Sequence, residues 1–159
     1  MSRAAVSTAA RAGAGEVTAL VQGADIVGVG VDAVDVDRFR RILDRRPSFA
    51  TRYFTHNERA DAQRGEDPTQ SLAARFAAKE AVMKALGTGL GGFALTEVEV
   101  RRRAGTGATD NVPFVVLHGG AAGVAARQGA AVFHLSLTHT EHVAIAFVIA
   151  ERTSSCSRS

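Results

Sequence analysis

Arg75-Phe-Ala-Ala-Lys-Glu-Ala-Val-Met-Lys84 is the stretch on which the fold of this chain turns. It lies within a run in which Leu72, Phe76, Val82, Met83 and Leu86 can share a buried side at helical spacing. The spacing predicts a helix over 71–86, the longest in the chain. Gly87-Thr-Gly-Leu-Gly-Gly92 follows and ends it, with glycine well placed as a C-cap. The same stretch holds the only two lysines, Lys79 and Lys84, among 19 basic residues; every other one is arginine. Lysine is a compact point charge on a flexible stem and arginine a planar fork, so the two do not substitute freely. Helix propensity alone would also admit lysine here.

Upstream of this helix, Thr55-His-Asn-Glu58 has the form of a capping box and predicts a helix from there to about Arg64. Val36, Phe39, Ile42 and Leu43 share one face of a predicted helix over 34–46, which Pro47 stops. Ile26-Val-Gly-Val-Gly-Val31 reads as a short buried strand that Asp32 ends. Downstream, 94–103 and 112–117 read as strands joined by a Gly-rich turn, and 119–127 as a short Ala-rich helix. Along 131–138, Phe133, Leu135 and Leu137 face one way and His134, Ser136 and Thr138 the other. His139-Thr-Glu-His142 makes a tight connection to an almost continuous apolar strand over 143–150, giving a central antiparallel hairpin. Strands and helices do not alternate regularly, which favours an α+β fold: an antiparallel sheet packed with helices, one of them long and central.

The chain has 159 residues, 46% of them hydrophobic, which suits one domain with its own core. With no Trp and one Tyr, that core must be built from Phe, Val, Leu and Ala. We expect the domain to span 24–151, between a disordered extension over 1–23 and a disordered tail over 152–159. The net charge of +3 arises in those tails, where Arg3, Arg11, Arg152 and Arg158 face only Glu16. The body is neutral, so the basic balance does not point to nucleic acid. The single Cys156 excludes an internal disulfide and fits a reducing cytoplasm. No apolar run approaches the ~20 residues of a membrane span.

Several residues could carry chemistry. Asp32 reads either as a turn or cap residue or as a carboxylate at the edge of a sheet, with Asp35 and Asp37 competing as caps. Glu80 reads either as the partner of Lys84 in an i,i+4 ion pair, worth about 0.2–0.5 kcal/mol, or as a functional carboxylate. If Asp32 and Glu80 meet, they suit Mg²⁺ with water and phosphate oxygens. The glycines after Lys84 let backbone amides approach a phosphate, although no Walker loop is present. His139 and His142 have a metal-like spacing without a plausible set of further ligands, so zinc is not favoured. Arg38, Arg41 and Arg45 form a stripe, either a solvated face or a dock for an acidic partner.

Four segments together closely resemble one family: Ile26 to Asp32 with Arg38; Phe54-Thr-His-Asn-Glu58; Arg75 to Gly89; and Leu135-Ser-Leu-Thr-His139. The family is that of the holo-[acyl-carrier-protein] synthases, the short trimeric class of 4′-phosphopantetheinyl transferases. The resemblance implies transfer of 4′-phosphopantetheine from coenzyme A to a serine of apo acyl carrier protein, with adenosine 3′,5′-bisphosphate as the other product. It implies that Asp32 and Glu80 bind Mg²⁺, that Lys84 contacts the phosphates, and that Glu80 or a water on the metal accepts the serine proton. Gly87, Thr88, Gly89, Thr138, His139 and Arg75 would bind coenzyme A. The Arg38/Arg41/Arg45 face would dock an acidic carrier protein, with an on-rate that falls as salt rises. The chain would assemble as a homotrimer with active sites at subunit interfaces, its Val143, Ala144 and Ile145 packing around the symmetry axis. The competing readings are the same chemistry on carrier domains of polyketide or peptide synthases, and a non-catalytic basic module.

Overall fold

Gly28 and Gly30 decide how the first strand meets the long helix. A Cβ at Gly28 would collide with the carbonyl of Ala85, and one at Gly30 with that of Ala81. Only glycine lets the strand backbone rest directly on the helix backbone. In this computed structural model, which describes residues 25–89, 91–103 and 111–153, the strand is β1 (Ile26–Asp35) and the helix α4 (Pro68–Ala85). Between them run α1 (Val36–Arg45), α2 (Ser48–Tyr53) and α3 (His56–Ala62). A 3₁₀ turn (Leu95–Glu97) leads to β2 (Val98–Arg102), followed by β3 (Pro113–Leu117), α5 (Gly119–Gln128), β4 (Val132–His139) and β5 (Val143–Glu151). The expectations for 1–23, for Leu90 and for the tail from 154 lie outside the described residues.

The fold is α+β, as expected, with two antiparallel sheets: β1-β5-β4, and the pair β2-β3. The predicted hairpin is β4-β5, with Leu137 opposite Ala146. β1 covers the other edge of β5, with Asp32 opposite Ala146. Asp32 therefore does not end the strand. Ala33 and Val34 continue the ladder against Ile145 and Ala144, and Asp35 makes the turn into α1, accepting from the Arg38 amide at 2.7 Å. Asp35, not Asp37, is the cap.

The capping box at Thr55 is present, with Glu58 reaching back to the Thr55 amide. α4 begins earlier than its apolar spacing suggested, because Asp67 caps the amides of Thr69 and Gln70 and Pro68 fills a first-turn position where a missing N–H costs nothing. The short α2 was not legible, since Pro47 reads as a stop and here starts the next turn.

α4 is buried almost all round. On one side its Ala77, Ala78, Ala81 and Ala85 lie under the sheet with Ala146, Val148 and Ala150. On another, Leu72, Ala73 and Ala74 join Val36, Phe39 and Phe54, with Phe49, Tyr53 and Phe76 packed around them. Phe39 and Phe76 rings stand 5.6 Å apart. Small residues allow the close sheet contact, and phenylalanines fill the wider wedge under α1 and α2. The strand residues alternate: Ala144, Ala146 and Val148 face α4, whereas Val143, Ile145 and Phe147 face outward with Val29 and Val31. Ala144 thus belongs to the core rather than to an outer packing surface.

Candidate active site

Lys84 sits one turn beyond Glu80, near the end of α4, on the side that meets β1. Its ammonium donates to Asp32 Oδ1 at 2.8 Å and to the Val31 carbonyl at 2.9 Å. The predicted local pair with Glu80 is replaced by a bond across to the strand, which the glycine seam brings within reach. Asp32 points to the α4 side because it alternates with Val31 and Ala33, both exposed. Its side chain is 19% exposed and that of Lys84 52%.

Glu80 is half-buried beside this pair. Burial pushes its carboxyl above the ordinary range, the charge of Asp32 adds to the effect, and Lys84 opposes it. Asp32 and Glu80 therefore lie within electrostatic reach of one another, with the Lys84 ammonium acting on both. Next to Glu80 opens a cavity of about 480 Å³ whose walls include Phe49, Tyr53, Phe76, Met83, Phe93 and Leu95. Glu80 is its one acidic lining residue. Arg52 also lines it, and through Glu80 this largely apolar chamber is joined to Asp32 and Lys84, which suits a ligand with a charged end and a largely uncharged arm.

The glycine segment closes the helix: the Gly87 amide bonds to the Lys84 carbonyl and that of Thr88 to Met83. Gly87 and Gly89 both have φ near +63°, and no atom lies where their Cβ would be. The helix ends and open backbone beside Lys84 coexist, so the cap and anion-cradle readings are compatible.

Other predicted residues lie elsewhere. Arg75 is buried on the α3 side of α4, bonded to Ser71 and 3.9 Å from Asp61. Thr138 and His139 end β4, separated from β1 by β5. Thr138 is exposed on the outward side of the sheet with Ile145, its register partner. One chain does not bring these residues to Asp32. His142 bonds to Asp37 at 3.1 Å, tying the hairpin to α1. Among the described residues no three potential metal ligands cluster. On α1, Arg38, Arg41 and Arg45 are exposed, and Arg40 pairs with Asp67 at 2.7 Å.

Sequence reasoning missed a second polar centre. Lys79 is wholly buried and donates to Glu58 Oε2 (2.8 Å), the Leu95 carbonyl (2.8 Å) and the Val98 carbonyl (2.6 Å). Its ammonium also lies 5.3 Å from the Phe54 ring centroid. Burial pulls its pKa below the ordinary range, against the pull of Glu58. Glu58 accepts from Val100 as well, so one residue caps α3, pairs a buried cation and anchors β2. The signal was present: Lys79 interrupts the apolar spacing Leu72, Phe76, Met83, Leu86. Nearby, Glu99 accepts from Thr55, Asn57 and His118.

Residues 28–148 match the family model described as the 4′-phosphopantetheinyl transferase superfamily. A holo-[acyl-carrier-protein] synthase from Frankia casuarinae is 49% identical over 127 residues, covering 79% of this chain and 98% of that protein. The crystal structure of holo-[acyl-carrier-protein] synthase from Neisseria meningitidis superposes with a TM-score of 0.71 at 31% identity, covering 80% of this chain and 99% of that one. A holo-(acyl-carrier-protein) synthase from Bacillus anthracis, solved in complex with CoA (3′,5′-ADP), gives 0.64 at 32% identity over 80% of this chain and 98% of its own.

Proposed function

The chain belongs to the 4′-phosphopantetheinyl transferase superfamily, and on that premise we propose that it moves 4′-phosphopantetheine from coenzyme A to a serine of an apo acyl carrier protein. The observation that carries this reading is the convergence of Asp32, Glu80 and Lys84 between β1 and α4, with Glu80 also lining a largely apolar cavity. Coenzyme A has the matching form: a pyrophosphate bearing the charge and a pantetheine arm bearing little.

In the reaction the serine oxygen attacks the phosphorus next to the pantetheine arm. A new P–O bond forms, the bridging P–O bond of the pyrophosphate breaks, and adenosine 3′,5′-bisphosphate leaves with the bonding electrons. Lys84, already donating two hydrogen bonds at 2.8 and 2.9 Å, can turn its remaining N–H toward the phosphates and stabilise the charge that grows on the leaving group. The Gly87 and Thr88 amides are taken up in the helix cap, but the open space at Gly87 and Gly89 lets a ligand approach the backbone closely on the same side. Glu80 is the carboxylate at the cavity wall that can take the serine proton.

Asp32 and Glu80 fit a magnesium ion. Both offer oxygen donors, and the lack of a third clustered ligand among the described residues leaves positions for phosphate and water oxygens. Bound there, Mg²⁺ would supply positive charge that polarises the attacked phosphoryl group.

The exposed arginines of α1 adjoin the Asp32 strand and suit an acidic carrier protein. The outward face of the sheet, with Val29 51%, Val31 53% and Phe147 43% exposed, suits burial against further copies of the chain. A homotrimer built on that face would explain why Thr138 and His139 stand apart from Asp32 in one chain: a neighbouring copy would supply them to the coenzyme A site. We assign the reaction to the cytoplasm, with both substrates soluble there.

The test is the intact mass of an apo acyl carrier protein incubated with the full chain, coenzyme A and Mg²⁺. A gain of one phosphopantetheine group, abolished by chelator, is expected. No gain on several carrier proteins, with the chain folded, would leave only a basic binding module.

A further inference from the structure

Lys79 is adjacent in sequence to Glu80 yet never meets the cavity. It leaves α4 next to the cavity residues Phe76 and Met83, behind the wall, and its three acceptors come from two places. Glu58 holds it from α3. The carbonyls of Leu95 and Val98 hold it from either end of the 3₁₀ turn over 95–97. That turn begins where the cavity wall ends: Phe93, Ala94 and Leu95 line the cavity opposite Glu80. The wall is also held through Glu97, whose carboxylate accepts from the Ala94 amide and from Gly120 of α5, but Lys79 is its tie to α4. The wall precedes the first residue of β2, and its helical content is three residues.

A buried ammonium needs all its donors satisfied, and three acceptors at 2.6–2.8 Å satisfy a lysine fully. The arrangement is specific to lysine. A guanidinium would not fit between two carbonyls and a carboxylate inside a space closed by the Phe54 ring. A merely apolar residue would take one donor from each of two carbonyls and leave the buried Glu58 carboxylate without its counter-charge, held only by the Thr55 and Val100 amides.

We propose that Lys79 is a positioning residue for the transfer reaction: by tying the Leu95 and Val98 carbonyls to α4, it fixes the Phe93–Leu95 wall of the cavity against Glu80, and so sets how the arm of coenzyme A is held. The proposal rests on the transferase reading above. Lys79 touches neither phosphate nor arm; it acts through the wall. Glu58 is its counter-charge and secures it to α3.

The test uses the full chain carrying Lys79→Met, and also the double variant Lys79→Met/Glu58→Gln, which removes the uncompensated carboxylate and guards against a failure to fold. Three readouts are compared with the parent below the melting temperature of each variant. They are hydrogen exchange of the amides over 93–98, steady-state transfer to apo acyl carrier protein, and binding of adenosine 3′,5′-bisphosphate, which lacks the arm. We expect faster exchange over 93–98, a KM for coenzyme A raised about tenfold, and bisphosphate affinity within about twofold of the parent. If a folded variant transfers with parental KM and kcat, Lys79 only stabilises the fold and the proposal is overturned. Equal loss of coenzyme A and bisphosphate binding overturns it too, because α4 as a whole would then have shifted. A parent that transfers nothing overturns the transferase reading, and a role for Lys79 in that reaction falls with it.

Discussion

Two lysines five positions apart on one helix have opposite surroundings. Lys79 is 0% exposed and holds three fixed acceptors; Lys84 is 52% exposed and has two, both on a neighbouring strand. The first cannot move without leaving buried groups unpaired, whereas the second can turn toward a ligand and be re-solvated. A single charge type thus builds a rigid centre on one face of α4 and a responsive one on another. The difference teaches that burial and partner count, rather than residue type or sequence neighbourhood, separate a fixed cation from a working one.

The largest expected effect falls on the responsive side. Glu80→Gln should lower transfer about a thousandfold, read by intact mass of the carrier protein over time, while urea denaturation stays close to the parent. A matched fall in both would erase the contrast between the two faces. Next comes Lys79→Met, expected to cost about 3 kcal/mol in urea denaturation, because a buried carboxylate loses its cation. A stability within the error of the parent would mean that water replaces the ammonium. Third, Lys84→Met should reduce transfer about a hundredfold yet change stability by less than about 1 kcal/mol, since its pair with Asp32 is half in solvent. Together these two lysine variants test whether stability and turnover separate by face.

The smallest effect concerns pH on the rigid side. Burial pushes the Glu99 carboxyl up, but donors from Asn57, His118 and Thr55 outweigh it and hold its pKa below the ordinary 4.5. A lowered folded-state value means that Glu99 adds stability above the unfolded pKa and loses it as the pH falls through the folded one. Melting temperature should therefore drop on acidification below about pH 4.5 more steeply in the parent than in Glu99→Gln. Parallel acid limbs would remove Glu99 from the network.

Much of this was legible beforehand. The capping box at Thr55, the long helix, the β4-β5 hairpin and the inward set Phe133, Leu135 and Leu137 all follow from local patterns that the tertiary structure reinforces. What escaped was set by contacts distant in sequence. Asp32 read as a strand end because a charged residue follows a short apolar run there, and only the pairing with β5 carries the strand on to Asp35. The Lys84–Asp32 bond spans 52 positions and Lys79–Glu58 spans 21, so helix periodicity could offer only the local Glu80–Lys84 pair. Arg75 was grouped with the site because it shares its sequence motif, yet it turns toward Ser71 and Asp61.

The seam at Gly28 and Gly30 works like the closed jaws of a caliper. Backbone rests on backbone there, with no compressible layer of side chains between Ala81, Ala85 and the strand. The gap across which Lys84 reaches Asp32 therefore has a hard stop. Warming that loosens the phenylalanine wedge under α1 should leave that gap almost unchanged, whereas one methyl group added at Gly30 would force the jaws apart.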